Sequence, residues 1–291
     1  MGRYKKYLHR YDKYFEKLPR PLARLLRDAH FSVLDMKDRL GAKADDLTPP
    51  RALQFMVGGG DFRAIGDSFF RHFVNVGDLH PTDAVLDIGC GTGRMAIPLM
   101  KYMSPSGKYL GFDISEKAII WCQRNITRRN PNFAFHYANI RNAEYNPHGS
   151  TSAVDYRFPC DDNKVDFAYA TSVFTHMRRS EVMHYLAELR RTLKPSGRAM
   201  LSFFILDEEN NRLMRNGCSV FNFAHVLEDC CTIDPKTPER AIAYSVEDVN
   251  SMVSNAGLHI RHPILYGSWS GRTSMLDSQD VVLVSQMHPE K

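Results

Sequence analysis

The sequence predicts an α/β fold: a doubly wound, mostly parallel sheet of seven strands behind a helical N-terminal extension. Three observations carry that prediction. From about residue 82, short apolar runs alternate with amphipathic stretches of helical period. The first run, Ala84-Val85-Leu86-Asp87-Ile88, is nearly all apolar, as a strand covered on both faces must be. It leads directly into Gly89-Cys90-Gly91-Thr92-Gly93, a glycine-rich turn of the kind that joins a strand to a helix in such sheets.

The elements follow in order. Tyr4, Tyr7, Leu8, Tyr11, Tyr14, Phe15 and Leu18 recur every three or four residues, one face of an amphipathic helix. Pro19 and Pro21 end it, and a second helical run continues through Leu22, Leu25, Leu26 and Phe31. Thr48-Pro49-Pro50 marks a break. Residues 1–50 are therefore read as a basic helical extension and 51–291 as the main domain. In that domain a helix is expected over 95–103, a strand over 108–113, a helix over 116–125 and a strand over 133–138. A strand follows over 165–170, then a helix over 179–193 closed by Lys194-Pro195-Ser196-Gly197. The remaining expectations are a strand over 199–206, a helix over 245–256 with Ser245 as N-cap, and strands over 258–265 and 281–285. Two insertions, 141–164 and 208–240, interrupt the alternation; Phe221, Phe223 and Leu227 suggest a helix inside the second. Long irregular insertions in a compact domain tend to be functional, and their aromatics argue against disorder.

Composition sets the bounds. The chain has 291 residues, 43% hydrophobic and 24% charged, enough for one large domain with a real core. No run approaches the ~18 apolar residues of a membrane span, and the N-terminus has neither a signal-peptide core nor a myristoylation pattern. Six cysteines without a C-x-x-C pair signal neither zinc nor a disulfide framework, so a reducing, cytoplasmic setting is expected. The net charge is +5, yet residues 1–27 alone carry nine basic side chains against Asp12 and Glu16, and the rest of the chain is slightly acidic. Such local charge argues against nucleic acid as a partner, since a nucleic-acid enzyme gathers basic residues around its cleft. It is read as the solvent face of a helix packed on the domain, as a peripheral contact with anionic lipid, or as a partner-binding surface.

The chemistry is concentrated at Asp87-Ile88-Gly89-Cys90-Gly91-Thr92-Gly93-Arg94. Arg94 stands where the dinucleotide fingerprint needs glycine, and the G-K-[ST] end of a P-loop is absent. What is present is D-x-G-x-G-x-G. This segment resembles the first motif of the class I S-adenosylmethionine-dependent methyltransferases. Tyr109-Leu110-Gly111-Phe112-Asp113-Ile114, Asn139-Ile140, Asp166–Ser172 and Leu193–Gly197 resemble the family's later elements in register. Ser172-Val173-Phe174-Thr175-His176, together with residues 55–62, is similar to bacterial small-molecule members. The resemblance implies a Rossmann-like methyltransferase fold over 51–291 and S-adenosylmethionine as cofactor.

It also implies residue roles. Backbone around Gly89, Cys90, Gly91 and Gly93 is expected to face the methionine end of the donor, with Asp87 fixing the turn and Thr171 at the tip of the fourth strand. Asp113 is expected to take the ribose, Asn139 the adenine amine, and Ile114 and Ile140 the adenine faces. His176 is the candidate general base, because neutral imidazole can take a hydroxyl proton near neutral pH. Phe174, Tyr156 and Tyr244 are the candidate acceptor-pocket residues, with Tyr145 and Phe158. No N-P-P-[YF] segment follows the fourth strand, which argues against the amino-methylating DNA and glutamine enzymes. Cys160 precedes that strand rather than following it, unlike the cytosine-5 nucleophile. Asp207, Glu208 and Glu209 lack the partner a catechol-type metal site needs, so no metal is expected and the run is read as a solvated loop. The leading expectation is O-methylation of a small molecule such as a sugar, glycolipid or natural-product hydroxyl. N-methylation, lipid-headgroup methylation and donor binding without catalysis stay open.

Overall fold

The computed structural model describes residues 20–41, 45–56, 58, 60–142, 145–261 and 263–286. The aromatic helical face expected over 4–18 lies outside them. Helix α1 (Arg20–Leu40) packs on the short α2 (Arg51–Met56). Arg51 reaches Asp35 at 2.7 Å and also meets Asp38, and the Phe31 and Phe55 rings lie 5.9 Å apart. Leu25, Val33, Met36 and Leu40 face outward from α1. Helix α3 (Phe62–Asn75) starts at Asp61, whose carboxylate accepts from the Arg63 and Ala64 amides.

The main sheet then forms from β1 (Ala84–Ile88), β2 (Lys108–Asp113), β3 (Phe133–Tyr137), β4 (Val165–Ala170), β5 (Leu193–Phe203), β10 (Leu258–Ile260) and β11 (Asp280–Gln286). Its spatial order is β10-β11-β5-β4-β1-β2-β3. Strand β11 runs antiparallel to both neighbours, and the other pairings are parallel. Helix α4 (Ala96–Tyr102) follows β1. Helix α5 (Glu116–Cys122) follows β2, capped by Ser115 and prolonged by a π-turn over Gln123–Thr127. Helices α3, α4 and α5 cover one face of the sheet through Phe69, Phe73, Leu99 and Ile119. Helices α6 (Arg179–Thr192) and α8 (Val246–Asn255) cover the other through Leu186, Leu189, Val249 and Met252. Burial on both faces is what the continuous apolar strands demand. Ser245 caps α8 as expected, accepting from the Asp248 amide.

Five expectations need correction, the first being the strand expected over 258–265, which ends at Ile260. Residues 194–197 do not close a helix ahead of the fifth strand; the strand already begins at Leu193. The pairing jumps from Val165–Leu193 to Phe167–Arg198, so the Lys-Pro-Ser-Gly segment bulges out of β5. The strand also stops at Phe203, and β6 (Ile205–Leu206) enters a second sheet with β9 (Ile242–Ser245), β8 (Cys231–Thr232) and β7 (His225–Val226). Within 208–240 the helix is α7 (Glu208–Arg215), not a helix around Phe221–Leu227. Asp207 is its N-cap, accepting from the Asn210 amide, with Glu208 and Glu209 in its first turn. The acids read as a loop thus start a helix, where negative charge is favoured. Phe223 instead packs with Phe204 and Trp269 in a small separate cluster.

Candidate active site

The carboxyl ends of β1, β2, β3 and β4, with helix α3 and the segment 277–279 leading into β11, enclose a cavity of about 600 Å³. That lies within the range of small-molecule sites, ~300–1,000 Å³. The glycine loop forms its floor. Gly89, Gly91 and Gly93 have φ of 75°, 51° and 71°, a region side chains resist. The Gly89 and Cys90 amides both donate to the Phe112 carbonyl at 3.0 Å. The Gly91 amide donates to Asp113 Oδ2 at 2.8 Å, and the Ser115 amide to Oδ1 at 2.7 Å. Asp113 therefore ties the tips of β1 and β2 together. Burial raises its pKa, opposed by these amide hydrogen bonds. Each oxygen keeps a further lone pair for a ligand hydroxyl.

Of the residues read from the sequence, Asp87, Gly89, Cys90, Gly91, Asp113, Ile114, Ile140, Thr171 and His176 line this cavity, as does Tyr145. The rest are placed elsewhere. A Cβ on Gly93 would lie 2.5 Å from Ile126 Cδ1, so this glycine serves the packing of the loop on the π-turn. Asn139 points outward, donating to Ser150 Oγ at 2.9 Å and accepting from Tyr137 Oη at 3.0 Å. Phe174 is fully buried against Phe203 and Tyr185. Tyr244 is buried, its hydroxyl donating to the Met177 carbonyl at 2.6 Å. Tyr156 packs on Phe112, and Phe158 is buried beside it. An aromatic near a strand tip completes the core as readily as it walls a pocket, and these do the former.

Asp87 also departs from its expected role. The turn is held by Asp113, while Asp87 accepts hydrogen bonds from the Tyr109 hydroxyl and, at 2.9 Å, from the Tyr169 hydroxyl. Burial pushes its carboxyl up to about 7, against the lowering effect of both tyrosines. Burial likewise keeps the Cys90 thiol protonated, well above the usual range.

His176 sits on the single turn Phe174–His176 that follows β4. Its Nδ1 lies 2.7 Å from the Glu239 carbonyl oxygen, which can only accept, so this contact assigns the hydrogen to Nδ1. In the neutral ring the basic nitrogen is then Nε2. The ring meets Tyr145 edge-on, with centroids 5.9 Å apart. Glu181 also lines the cavity; burial raises its pKa, although the Arg178 amide donates to it at 2.8 Å.

Several cavity residues carry no signal of a role of their own in the sequence. Ser172 adopts φ 61°, unusual for a residue with a side chain. Its amide donates to Ser202 Oγ at 2.7 Å and its hydroxyl accepts from Gln279 Nε2 at 2.8 Å, while Ser202 Oγ donates to Gln279 Oε1 at 2.7 Å. Strain held by such a network is a mark of functional positions. Asp277 also faces the cavity, 3.3 Å from His72 Nε2. Burial would raise it, but hydrogen bonds from His72 and Ser278 prevail and hold it below the ordinary carboxylate value. Ile65, Ser68 and Phe69 come from α3. The apolar period of Phe62, Ile65, Phe69 and Phe73 was the available signal for that helix. Nothing in the sequence brings residue 277 next to residue 72.

A family model described as a methyltransferase domain matches residues 85–197. The chain is 29% identical over 124 residues to a 37.1 kDa transposon protein of Streptomyces fradiae, covering 43% of this chain and 31% of that protein. It is 29% identical over 132 residues to a demethylmenaquinone methyltransferase of Symbiobacterium thermophilum, covering 45% of this chain and 47% of that one. The matched segment thus spans less than half the length of either relative. Among solved structures, the PH0226 protein of Pyrococcus horikoshii superposes with a TM-score of 0.55 at 17% identity, covering 78% of this chain and 91% of that one. The magnesium protoporphyrin IX methyltransferase of Synechocystis gives 0.50 at 17%, covering 80% and 92%. These two likenesses show a shared fold.

Proposed function

Residues 85–197 match a methyltransferase-domain family, and from that premise we propose that the whole chain is a class I S-adenosylmethionine-dependent methyltransferase that methylates a hydroxyl of a small molecule with His176 as general base. The observation that carries the reading is the placement of His176 on the same cavity as the glycine loop, with Nδ1 engaged by the Glu239 carbonyl.

The residues present suit the donor. A positive-φ glycine turn brings backbone to the cavity floor, Asp113 retains lone pairs beside it, and Ile114 and Ile140 offer apolar walls for a flat base. In this reading Gly89, Gly91 and Thr171 border the methionine arm and Asp113 holds the ribose. Ile140 and the neighbouring Arg141 and Asn142 surround the base, in place of Asn139. When bound, the donor supplies an electrophilic methyl group on a sulfonium. The chain's task is alignment, which can supply ~7–11 kcal/mol of barrier reduction. Nε2 of His176 accepts the acceptor's hydroxyl proton, while the Glu239 carbonyl steadies the imidazolium that results.

Substituting His176 by alanine should lower turnover by roughly 10²–10⁴-fold and abolish the limb of the pH–rate profile that titrates with it. Turnover that persists with an unchanged profile overturns the base assignment. Labelled donor incubated with fractionated metabolites then reports whether oxygen, nitrogen or carbon receives the methyl group.

A second reading, methylation of an amine, draws support from Asp277, an ionised carboxylate on the cavity wall suited to a cationic acceptor. It requires His176→Ala to be nearly silent and Asp277→Asn to raise the acceptor KM. Among the described residues no helix is long and apolar enough to cross a membrane. A peripheral contact through residues 1–27 rests on their charge and on exposed Leu22, Leu25 and Leu26. Its test is co-sedimentation of the full chain with phosphatidylglycerol vesicles, lost at high salt.

A further inference from the structure

Two arginines line the cavity, Arg94 and Arg141, and only Arg141 is open to solvent. Arg94 lies directly after the glycine loop and is half-buried. Its Nη2 donates to the Gly58 carbonyl at 2.8 Å. The guanidinium carbon stands 5.3 Å from the centre of the Phe62 ring. Its Nε is buried and has no hydrogen-bond partner among the described residues. Burial pushes its pKa down to about 10, so it remains a cation at neutral pH.

Most of the other half-buried or buried arginines among the described residues are paired, Arg190, outside the cavity, being an exception. Arg51, Arg178, Arg179, Arg191, Arg198 and Arg272 each meet a carboxylate. Arg94 meets none among the described residues. A desolvated cation without an anion is costly, and an anion entering the cavity beside Arg94 would relieve that cost. The surroundings hold the group in place. A Cβ on Gly66 would lie 2.5 Å from the Arg94 carbonyl oxygen, so that glycine lets α3 press on the backbone that carries the side chain. Phe62 lies along the guanidinium and Gly58 holds one end, while Nε is left unpaired. Asp113 and Ile140 line the same cavity.

We propose that Arg94 is the carboxylate receptor of this cavity and binds the α-carboxylate of the donor's methionine arm. The assignment rests on the donor reading above. With the ribose at Asp113 and the base beside Ile140, the amino-acid arm crosses the glycine loop, and its carboxylate is the anion that Arg94 lacks. Guanidinium and carboxylate match as a planar fork, which a lysine does not reproduce.

Calorimetry with two nucleosides tests this. S-adenosylhomocysteine carries the amino-acid arm, and 5′-methylthioadenosine lacks it. Arg94→Met should weaken S-adenosylhomocysteine by roughly 10- to 100-fold, the range of a charged hydrogen-bonded pair, and leave 5′-methylthioadenosine unchanged. Arg94→Lys should fall between the two. Unchanged binding of the thioadenosine also shows that the variant is folded. Equal weakening of both ligands makes Arg94 a packing residue and overturns the proposal. Unchanged S-adenosylhomocysteine affinity in Arg94→Met overturns it too, and a raised acceptor KM there would assign the guanidinium to an anionic acceptor. Wild-type protein that binds neither nucleoside refutes the donor reading itself.

Discussion

Asp87 is a carboxylic acid beneath the glycine loop, and its surroundings favour the protonated form. Burial lifts its carboxyl to about 7 despite two tyrosine hydroxyls that donate to it. An unfolded aspartate titrates near ~3.9. Between those values the unfolded chain is ionised while the folded one keeps its proton. The group's contribution to stability is therefore complete below about pH 4 and is lost as pH rises through about 7. Asp87→Asn removes this loss and leaves an oxygen to accept from the tyrosines. Thermal unfolding of the ligand-free protein should show the variant gaining on wild type between pH 5 and pH 8, by several degrees at most. A melting difference that stays flat across that range would mean that Asp87 is already ionised at pH 5. Gly89 makes the complementary point from backbone geometry. Its φ is 75° and an added Cβ would lie 2.5 Å from Val173 Cγ2, so alanine there strains the loop and presses on the turn that carries His176.

At the scale of elements, α3 is seated by what it lacks. Alanine normally favours a helix over glycine by ~1 kcal/mol. At position 66 the added carbon would meet a backbone oxygen at 2.5 Å, and backbone cannot retreat as a side-chain tip can. Overpacking of this kind costs ~1–3 kcal/mol, so Gly66→Ala should destabilise the protein and weaken donor binding together. Arg71→Ala, on the exposed side of the same helix, should stay within ~0.5 kcal/mol of wild type in the same urea titration. A Gly66→Ala protein as stable as wild type would mean that α3 shifts freely. The junction between the two sheets depends on Asp280. It accepts from the Ile205 amide, the Gly267 amide and Trp269 Nε1, each at 2.7 Å. Burial raises its carboxyl to about 6 even so. Asp280→Ala leaves three buried donors unpaired, each worth ~1–3 kcal/mol, and should cost about 3 kcal/mol or more. Tryptophan fluorescence should move first if the Phe204–Phe223–Trp269 cluster loosens ahead of global unfolding.

Over the whole molecule, what the sequence made legible is what lies close together in it. The glycine loop, the acid ending β2 and the alternation of elements each occupy one continuous segment, and period and turn chemistry suffice to read them. The cavity's other half did not announce itself, because Asp277 and Gln279 meet His72 and Ser172 only through the sheet order. Phe174 and Tyr244 looked like pocket residues because sequence places an aromatic near a strand tip without saying which way it faces. Arg198 shows such long-range closure in energetic form. It lies on β5, yet its Nε donates to the Gly77 carbonyl at 3.0 Å, its Nη1 to the Asp166 carbonyl at 2.9 Å and its Nη2 to Asp83 at 2.8 Å. The lead-in to β1 is thus fastened to the middle of the sheet by one buried side chain. Arg198→Met should cost about 3–5 kcal/mol, because Asp83 stays behind as a buried carboxylate without its cation. Replacing both partners, as in Arg198→Met with Asp83→Leu, should recover a large part of that loss, because no uncompensated charge is left in the interior. The exposed pair Arg212–Glu209 supplies the contrast, and Glu209→Ala should fall within ~0.5 kcal/mol of wild type. Chemical denaturation of the four proteins decides the matter. Should the double variant be as unstable as Arg198→Met alone, the damage comes from the abandoned carbonyls of Gly77 and Asp166 and not from the stranded charge.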